Sequence, residues 1–589
     1  MTTEVKTSVR PAVVAPGVEA EVDQFEREVL AFLEGGGLGE GFRAFRLQHG
    51  IYGQRQVGEY MVRVKVPHGS LTAGQMDALA GIGEHFAPRR LGHVTTRQDV
   101  QFHSVQLADV PAVMRALAHA GLTTREACGN TVRNVTADPF SGLCFDTVFD
   151  VTPHAEAVAR HFLRHPVSQK LPRKFKIAFS ACPHDYGLIP IHDLGAMAVV
   201  HGHDGLERRG FRVSVGGGLG PTPRVAEVLE EFVPEEEMVR VVEAVLRVFD
   251  RLGQRRNRNR ARIKFLVARL GIEEFRRLVR QELQSMPALE GGLYRSPDFA
   301  LEETPDHLPA SCGLNGHAPA PGFGEWKATN VISQRQAGYE LVQVTLPTGD
   351  LTLEQMRALA GIARRYAGGR LRTTPGQNVV LRWVHELDLP SLYADLVQAG
   401  LGEAGAGALS NVMACPGTDT CSQAITSSKG LAAVLREAIL RGSLYADPLV
   451  RQIRIRISGC LNSCGQHHIA DIGFHGCAVH NNGRLLPAFQ LLVGGVGSGE
   501  GAIARPVMKV AARCVPEAFG QLVAHYVDDR RTGEPFAEYV RRVGVAHIRS
   551  VLAEFREMPA FNEDPMAYVD WGAYKLFSLE ERGEGECAV

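Results

Sequence analysis

From Tyr60 the chain reads YMVRVKVP, in which apolar and polar residues alternate. A period of two sends successive side chains to opposite faces, so this stretch is expected to be a strand with one buried face. The next segment, TAGQMDALAGIGEHF, brings its apolar residues back at intervals of three and four, the spacing of one helix face. Thr72 stands before that run as a candidate N-cap. Alternation returns in VQFHSV, and helical spacing in VPAVMRALAHAGL, where Gly121 supplies a stop. Strand, helix, strand, helix predicts a small α/β sandwich of about 75 residues. Farther on, KFKIAFS and FRVSVGG read as strands and TPRVAEVLEEFV as a helix.

The pattern then repeats. IYGQRQVGEYMVRVKVPHGSLTAGQMDALAGI, from Ile51, is matched by VISQRQAGYELVQVTLPTGDLTLEQMRALAGI, from Val331. At one constant offset Gln54 meets Gln334, Leu71 meets Leu351 and Met76 meets Met356. IAFSACPHDYGLIPIHDLGAMAV, from Ile177, resembles IRISGCLNSCGQHHIADIGFHGCAV, from Ile455. A period this long excludes a solenoid and implies a duplicated two-domain unit with pseudo-twofold halves. The expected organisation is an extension over 1–45, a small unit over 46–124 and a larger mixed α/β unit over 125–297. A Pro/Gly-rich linker follows over 298–325, then the second small unit over 326–403, the second large unit over 404–545 and a tail over 546–589. Laid on one another, the halves pair Cys128 with Cys415, Cys182 with Cys460 and Tyr186 with Cys464, and bring Arg133 near Cys421. Arg97 aligns with Gly376. The second half thus carries thiols where the first carries tyrosine and cations.

Composition narrows the partners. Lys and Arg number 64 against 65 Asp and Glu, without the basic excess that nucleic-acid binding favours. No apolar run approaches the length of about 18 residues that spans a bilayer, and the N-terminus lacks a signal-peptide layout. The expectation is a soluble, cytoplasmic protein with neither nucleic acid nor membrane as partner. In that compartment its 11 cysteines stay reduced.

Four of those cysteines are grouped. ACPGTDTC holds Cys415 and Cys421, and SGCLNSCG holds Cys460 and Cys464. Disulfides, zinc and an iron–sulfur cluster are the three readings. Zinc ligands commonly pair at two-to-four-residue spacing, which suits Cys460 and Cys464 but not Cys415 and Cys421. A [4Fe–4S] cluster accepts wider and unequal spacings, and Gly and Pro beside the thiols let backbone N–H groups approach cluster sulfides. Spacing favours the cluster and leaves zinc open.

The two cysteine pairs, GCLNSCGQHHIADIGFHG and the duplication together closely resemble the siroheme-dependent sulfite and nitrite reductases, from about Phe42 to Asp528. The resemblance implies an α+β fold with two ferredoxin-like sandwich units and two larger siroheme- and cluster-binding domains. It implies siroheme and a [4Fe–4S] cluster held by Cys415, Cys421, Cys460 and Cys464, with Cys464 bridging to the siroheme iron. It also gives roles to cations that would otherwise read as solvated surface charge. Arg97 in TTRQDVQFH, Arg133 in CGNTVRNV and Lys174 and Lys176 in LPRKFKIAFS become substrate-binding residues for a small oxyanion. On a strand Lys174 and Lys176 share a face, with Phe175 opposite. In QRRNRNRARIKFLV, Arg258, Asn259 and Arg262 become candidate contacts to the carboxylates of siroheme. Tyr52 and Cys128 are placed near the haem without a chemical step, and Cys477, Cys514 and Cys587 read as plain thiols.

The motifs divide over the substrate. LPRKFK is more like sulfite reductases, whereas CGQHHIADIGF is more like nitrite reductases. A second lysine favours the more highly charged anion, so the expectation is assimilatory sulfite reduction, with ferredoxin-type nitrite reduction as the alternative. A non-catalytic iron–sulfur electron-transfer protein is the remote one. No flavin or ferredoxin module is evident, so electrons are expected from a separate ferredoxin or flavoprotein reductase.

Overall fold

The computed structural model describes residues 14–35, 40–203, 206–287, 320–442, 446–583 and Glu586. Alternation becomes strand where expected: Glu59–Val64 pairs with Ile51–Gly53 on one side and Val100–Gln106 on the other. Val62 and Val64 point into the core while Arg63 turns away from it. Thr72 caps the helix Ala73–Phe86 through a capping box with Gln75, and Thr352 repeats it with Gln355 at Leu353–Tyr366. Gly121, at φ 72°, follows the helix Val110–His119.

Each small sheet is completed by the other half. Leu91–Val94 pairs with Asp350–Thr352, Leu351 opposite Gly92. In return Ser70–Thr72 pairs with Arg370–Thr373, Leu71 opposite Leu371. The exchange covers a sheet edge that would otherwise stay open. It also sets the helices Ala73–Phe86 and Leu353–Tyr366 side by side, with Arg357 2.6 Å from Glu84. Met76, Leu79, Met356 and Leu359 therefore belong to one apolar core. The two ferredoxin-like units are a single interlocked body, in a fold that is α+β and internally duplicated.

The two larger units are matching five-stranded mixed sheets. In the first, Thr136–Ala137, Ile177–Ser180 and Leu194–His203 run parallel, and Leu206–Val215 and Glu227–Pro234 follow antiparallel. In the second, Met413–Ala414, Ile455–Ser458 and Ile472–Asn481 are followed by Arg484–Val493 and Arg505–Ala511 in the same pattern. The segment TPRVAEVLEEFV is not the expected helix: Glu227–Pro234 is an edge strand. Register shifts after Val228 and Glu230 bury Leu229 and Val233, four apart, so a bulged strand mimics a helical period. The expected linker 298–325 lies outside the described residues up to 319, and the helix Phe323–Asn330 already begins within its end. Among the described residues no helix is long and apolar enough to cross a membrane.

Candidate functional site

The strand pairing corrects the sequence alignment at the cysteines. Thr136–Ala137 and Met413–Ala414 pair equivalently with Ile177–Ser180 and Ile455–Ser458. ADPFSGLC therefore lies on ACPGTDTC: Asp138 is the counterpart of Cys415, and Cys144 of Cys421. Cys128 and Arg133 are not. A shared cysteine aligns Cys128 with Cys415 in sequence, whereas main-chain register follows the strands. Cys182 opposite Cys460 and Tyr186 opposite Cys464 hold.

All four grouped cysteines stand at the carboxyl ends of two parallel strands, where an open α/β sheet leaves room for a ligand. At two glycines in the turns around them there is no room for a side chain. A Cβ on Gly465 would stand 2.0 Å from the Ile457 carbonyl, and one on Gly459 2.8 Å from that of Thr426. The bare Gly459 N–H reaches the Cys415 Sγ at 3.3 Å. Cys460 is buried, Cys415 and Cys421 are partly buried and Cys464 is exposed.

Opposite them lie the cations. Phe175 is fully buried, and its main chain bridges to Thr131 and Arg133 on the adjacent segment. Lys174 and Lys176 consequently turn to the other face, as alternation requires. Arg133 is held by its Nε to the Gly129 carbonyl at 2.9 Å and its Nη1 to that of Ala127 at 3.0 Å. Arg97 sits in the turn between Thr95 and Asp99. Its Nη1 donates to His192 Nε2 at 2.9 Å, and His192 Nδ1 donates to the Leu188 carbonyl at 2.7 Å. Burial brings Arg97 down to about 10, still cationic near neutrality, while burial and Arg97 hold His192 well below the usual histidine range. His192 is thus a neutral acceptor that aims Arg97. Burial, then Arg97, Lys174 and Arg262, lower Lys176 well below the lysine range.

One cavity of about 1250 Å³, mouth included, is lined by Cys415, Cys421, Cys460 and Cys464 and also by Arg97, Arg133, Lys174 and Lys176. A smaller one of about 290 Å³ is bordered by Cys464, Arg97, Lys176 and His192. Cys464 is the one member of the four cysteines on both walls, and its carbonyl accepts from Thr96 Oγ1 at 3.1 Å. The fold thus brings together eight of the residues singled out in sequence.

Arg258 and Asn259 are exposed on the turn Arg258–Arg260, outside the lining of either cavity. Arg262 is turned inward, forked onto the fully buried Asp193 at 2.9 and 2.7 Å, and Asp193 also accepts the Lys176 N–H at 2.9 Å. Removing that carboxylate leaves a buried guanidinium uncompensated. Asp193→Ala is expected to cost about 3–5 kcal/mol, read as a lowered thermal midpoint. Arg208→Ala, which breaks an exposed pair with Glu236, should cost at most about 1 kcal/mol. Equal midpoints for the two variants would remove the anchoring role.

Sequence reasoning missed Met61, Arg63 and Gln101 on the cavity wall. Strand alternation contains the signal, since Met61 and Arg63 occupy the face opposite Val62 and Val64. At the pseudo-equivalent position in the other half the described residues pack together. There Leu341 and Val380 replace Met61 and Gln101, and they pack with Phe140, Leu143, Cys144, Cys182 and Trp383. Duplication made two places and apolar side chains filled one.

Two family models match the chain. The nitrite and sulphite reductase 4Fe-4S domain matches residues 128–286 and 405–558. The nitrite/sulfite reductase ferredoxin-like half domain matches 52–120 and 332–399. Together they cover more than half of the sequence. A sulfite reductase [ferredoxin] 1 of Mycolicibacterium paratuberculosis is 30% identical over 498 residues, 83% of each chain. An assimilatory ferredoxin-dependent nitrite reductase of Haloferax mediterranei is 29% identical over 509 residues, 84% of each. The solved structure of the Mycobacterium tuberculosis NirA protein superposes with a TM-score of 0.75 at 27% identity, over 92% of this chain and 98% of that one.

Proposed function

The chain belongs to the nitrite and sulphite reductase family, whose cofactors are siroheme and a [4Fe–4S] cluster, and we propose that within it this protein is an assimilatory sulfite reductase. The observation that carries the reading is the shared cavity: four thiols on one wall and four cations on the other. Cys415, Cys421, Cys460 and Cys464 would hold the cluster, and Cys464, at the junction of the two cavities, would join it to the siroheme iron. Bound together, these groups supply an iron that ligates the anion and a path for electrons.

The chain's own part is electrostatic. Reduction of sulfite to sulfide consumes six electrons and several protons, and the oxygens leave as water. Arg97 and Arg133 are held rigidly by carbonyls and His192, so they can receive negative charge without reorganising. Lys174 and Lys176 add two amines on the same cavity wall. Four cations around one anion suit the doubly charged sulfite better than singly charged nitrite. Reduction of nitrite to ammonia is the second reading, favoured by a nitrite reductase relative at almost the same identity as the sulfite reductase. The names of both relatives include ferredoxin, which supports a ferredoxin as electron donor.

The purified protein is expected to contain one [4Fe–4S] cluster and one siroheme, shown by iron and acid-labile sulfide analysis and by haem absorption bands. Cluster absorption without haem bands would leave an electron-transfer protein. A colourless zinc protein would overturn the reading altogether. Steady-state reduction of sulfite and nitrite with a chemical electron donor then decides between substrates, sulfite having the higher kcat/KM.

A further inference from the structure

The helix Glu40–Gln48 carries Arg46 beneath the strand Ile51–Gly53. Its side chain is almost wholly buried, 8% exposed. The guanidinium lies over the Tyr60 ring, 5.1 Å from the centroid, and donates to the Ile51 carbonyl at 3.2 Å. It also forks onto a single carboxylate, that of Glu586 near the C-terminus. Nη1 is 2.7 Å from Oε2, and Nη2 bonds Oε1. The Gly53 N–H donates to the same carboxylate at 2.5 Å. A planar guanidinium fork with a backbone N–H beside it is a receptor for a carboxylate. Gly53 and Glu586 both line the large cavity.

The strand is bare where that carboxylate sits, since a Cβ on Gly53 would stand 2.9 Å from Glu586 Oε1. In the duplicated half the matching positions are Trp326, fully buried, and Ser333. Cation and bare backbone thus occur in the half that faces the cavity, and an apolar ring replaces the cation in the half whose cavity is filled.

An anion stabilises a buried guanidinium, and here the tail provides one. Siroheme would bring eight carboxylates into the same cavity, and one fork cannot bind two carboxylates. We propose that Arg46 and the Gly53 N–H form a carboxylate subsite for siroheme, and that Glu586 holds this subsite until the macrocycle enters. The proposal rests on the siroheme reading of the cavity. A Glu586 that stayed would place a like charge against the carboxylates of the cofactor, so entry displaces it. The tail keeps other holds when Glu586 leaves: the Phe577 N–H donates to the Tyr568 carbonyl at 2.8 Å, and Arg582 Nε donates to that of Gln423 at 3.3 Å.

The test titrates siroheme into the full-length, cluster-loaded chain produced without siroheme, following growth of the haem absorption bands. A charge-assisted contact corresponds to about tenfold or more in affinity. Glu586→Gln, a weaker competitor, should tighten siroheme binding about tenfold, and Arg46→Met should weaken it about tenfold or more. In the double variant the benefit of Glu586→Gln should vanish, because no fork remains to compete for. If Arg46→Met does not fold, Gly53→Ala carries the same test, since its methyl crowds the carboxylate position and should weaken binding. Weaker binding in Glu586→Gln would make the tail a latch on the loaded cofactor and overturn the proposal. Unchanged affinity in the variants would reduce the pair to an anchor for the tail and overturn it equally. A wild-type chain that takes up no siroheme would overturn the cofactor reading itself, whereas normal uptake with indifferent variants sinks the subsite alone.

Discussion

Cys464→Ser is expected to abolish reduction of both anions and to change the visible spectrum. The cysteine stands where the large cavity meets the smaller one that reaches Arg97, Lys176 and His192. A serine hydroxyl does not ionise near neutral pH as a thiol does, and the thiolate is the ligand. Loss of an outer-shell contact already costs a metal site about 10–100-fold, so loss of the proposed bridging ligand should cost at least about a hundredfold in kcat/KM. Cys477→Ser is the control. Cys477 lies on the strand Ile472–Asn481 and does not line either cavity, so both cofactors and both activities should persist. Cys587, another thiol without an expected role, lies outside the described residues. A Cys464→Ser protein with normal haem bands and full activity would end the bridging assignment.

Lys176→Asn should separate the two substrates. Its ammonium faces the cations Arg97, Lys174 and Arg262, which together with burial press it toward neutrality. An anion in contact favours the charged form of the amine, and that attraction grows with the charge on the anion. One charge-assisted hydrogen bond is worth about 1.5–3 kcal/mol, so sulfite kcat/KM should fall about 10- to 100-fold while nitrite is spared or improves. Kinetics with a chemical electron donor keep partner effects out of the comparison. An equal loss for both anions would make Lys176 a general anion-binding residue, and no change would remove it from the site.

Much of this was legible before folding. Alternation at YMVRVKVP and VQFHSV, the Thr72 cap and the repeat around Gln54 and Gln334 are local signals. Side-chain direction and capping act within a few residues, so sequence reports them directly. The alternation of Lys174, Phe175 and Lys176 belongs to the same class. TPRVAEVLEEFV misleads because bulges imposed by a neighbouring strand reset the period, which no local pattern records.

Residue chemistry and spacing by themselves determined the duplication, the two small sandwiches and the grouping of the four thiols, while the cations of the first half stood out only through the family resemblance. Tertiary structure alone decided which of two duplicated places became a cavity. Met61 and Gln101 leave room on one side, while Leu341, Val380 and Trp383 close the other by packing across segments remote in sequence. It decided that each small sheet takes a strand from its twin and that Asp138, not Cys128, stands opposite Cys415. It also turned Arg262 inward to Asp193 while leaving Arg258 and Asn259 outside, and it brought Glu586 onto Arg46. These outcomes share one physical cause. Burial and charge pairing are settled between side chains distant along the chain, so their partners exist only once the halves have closed on each other.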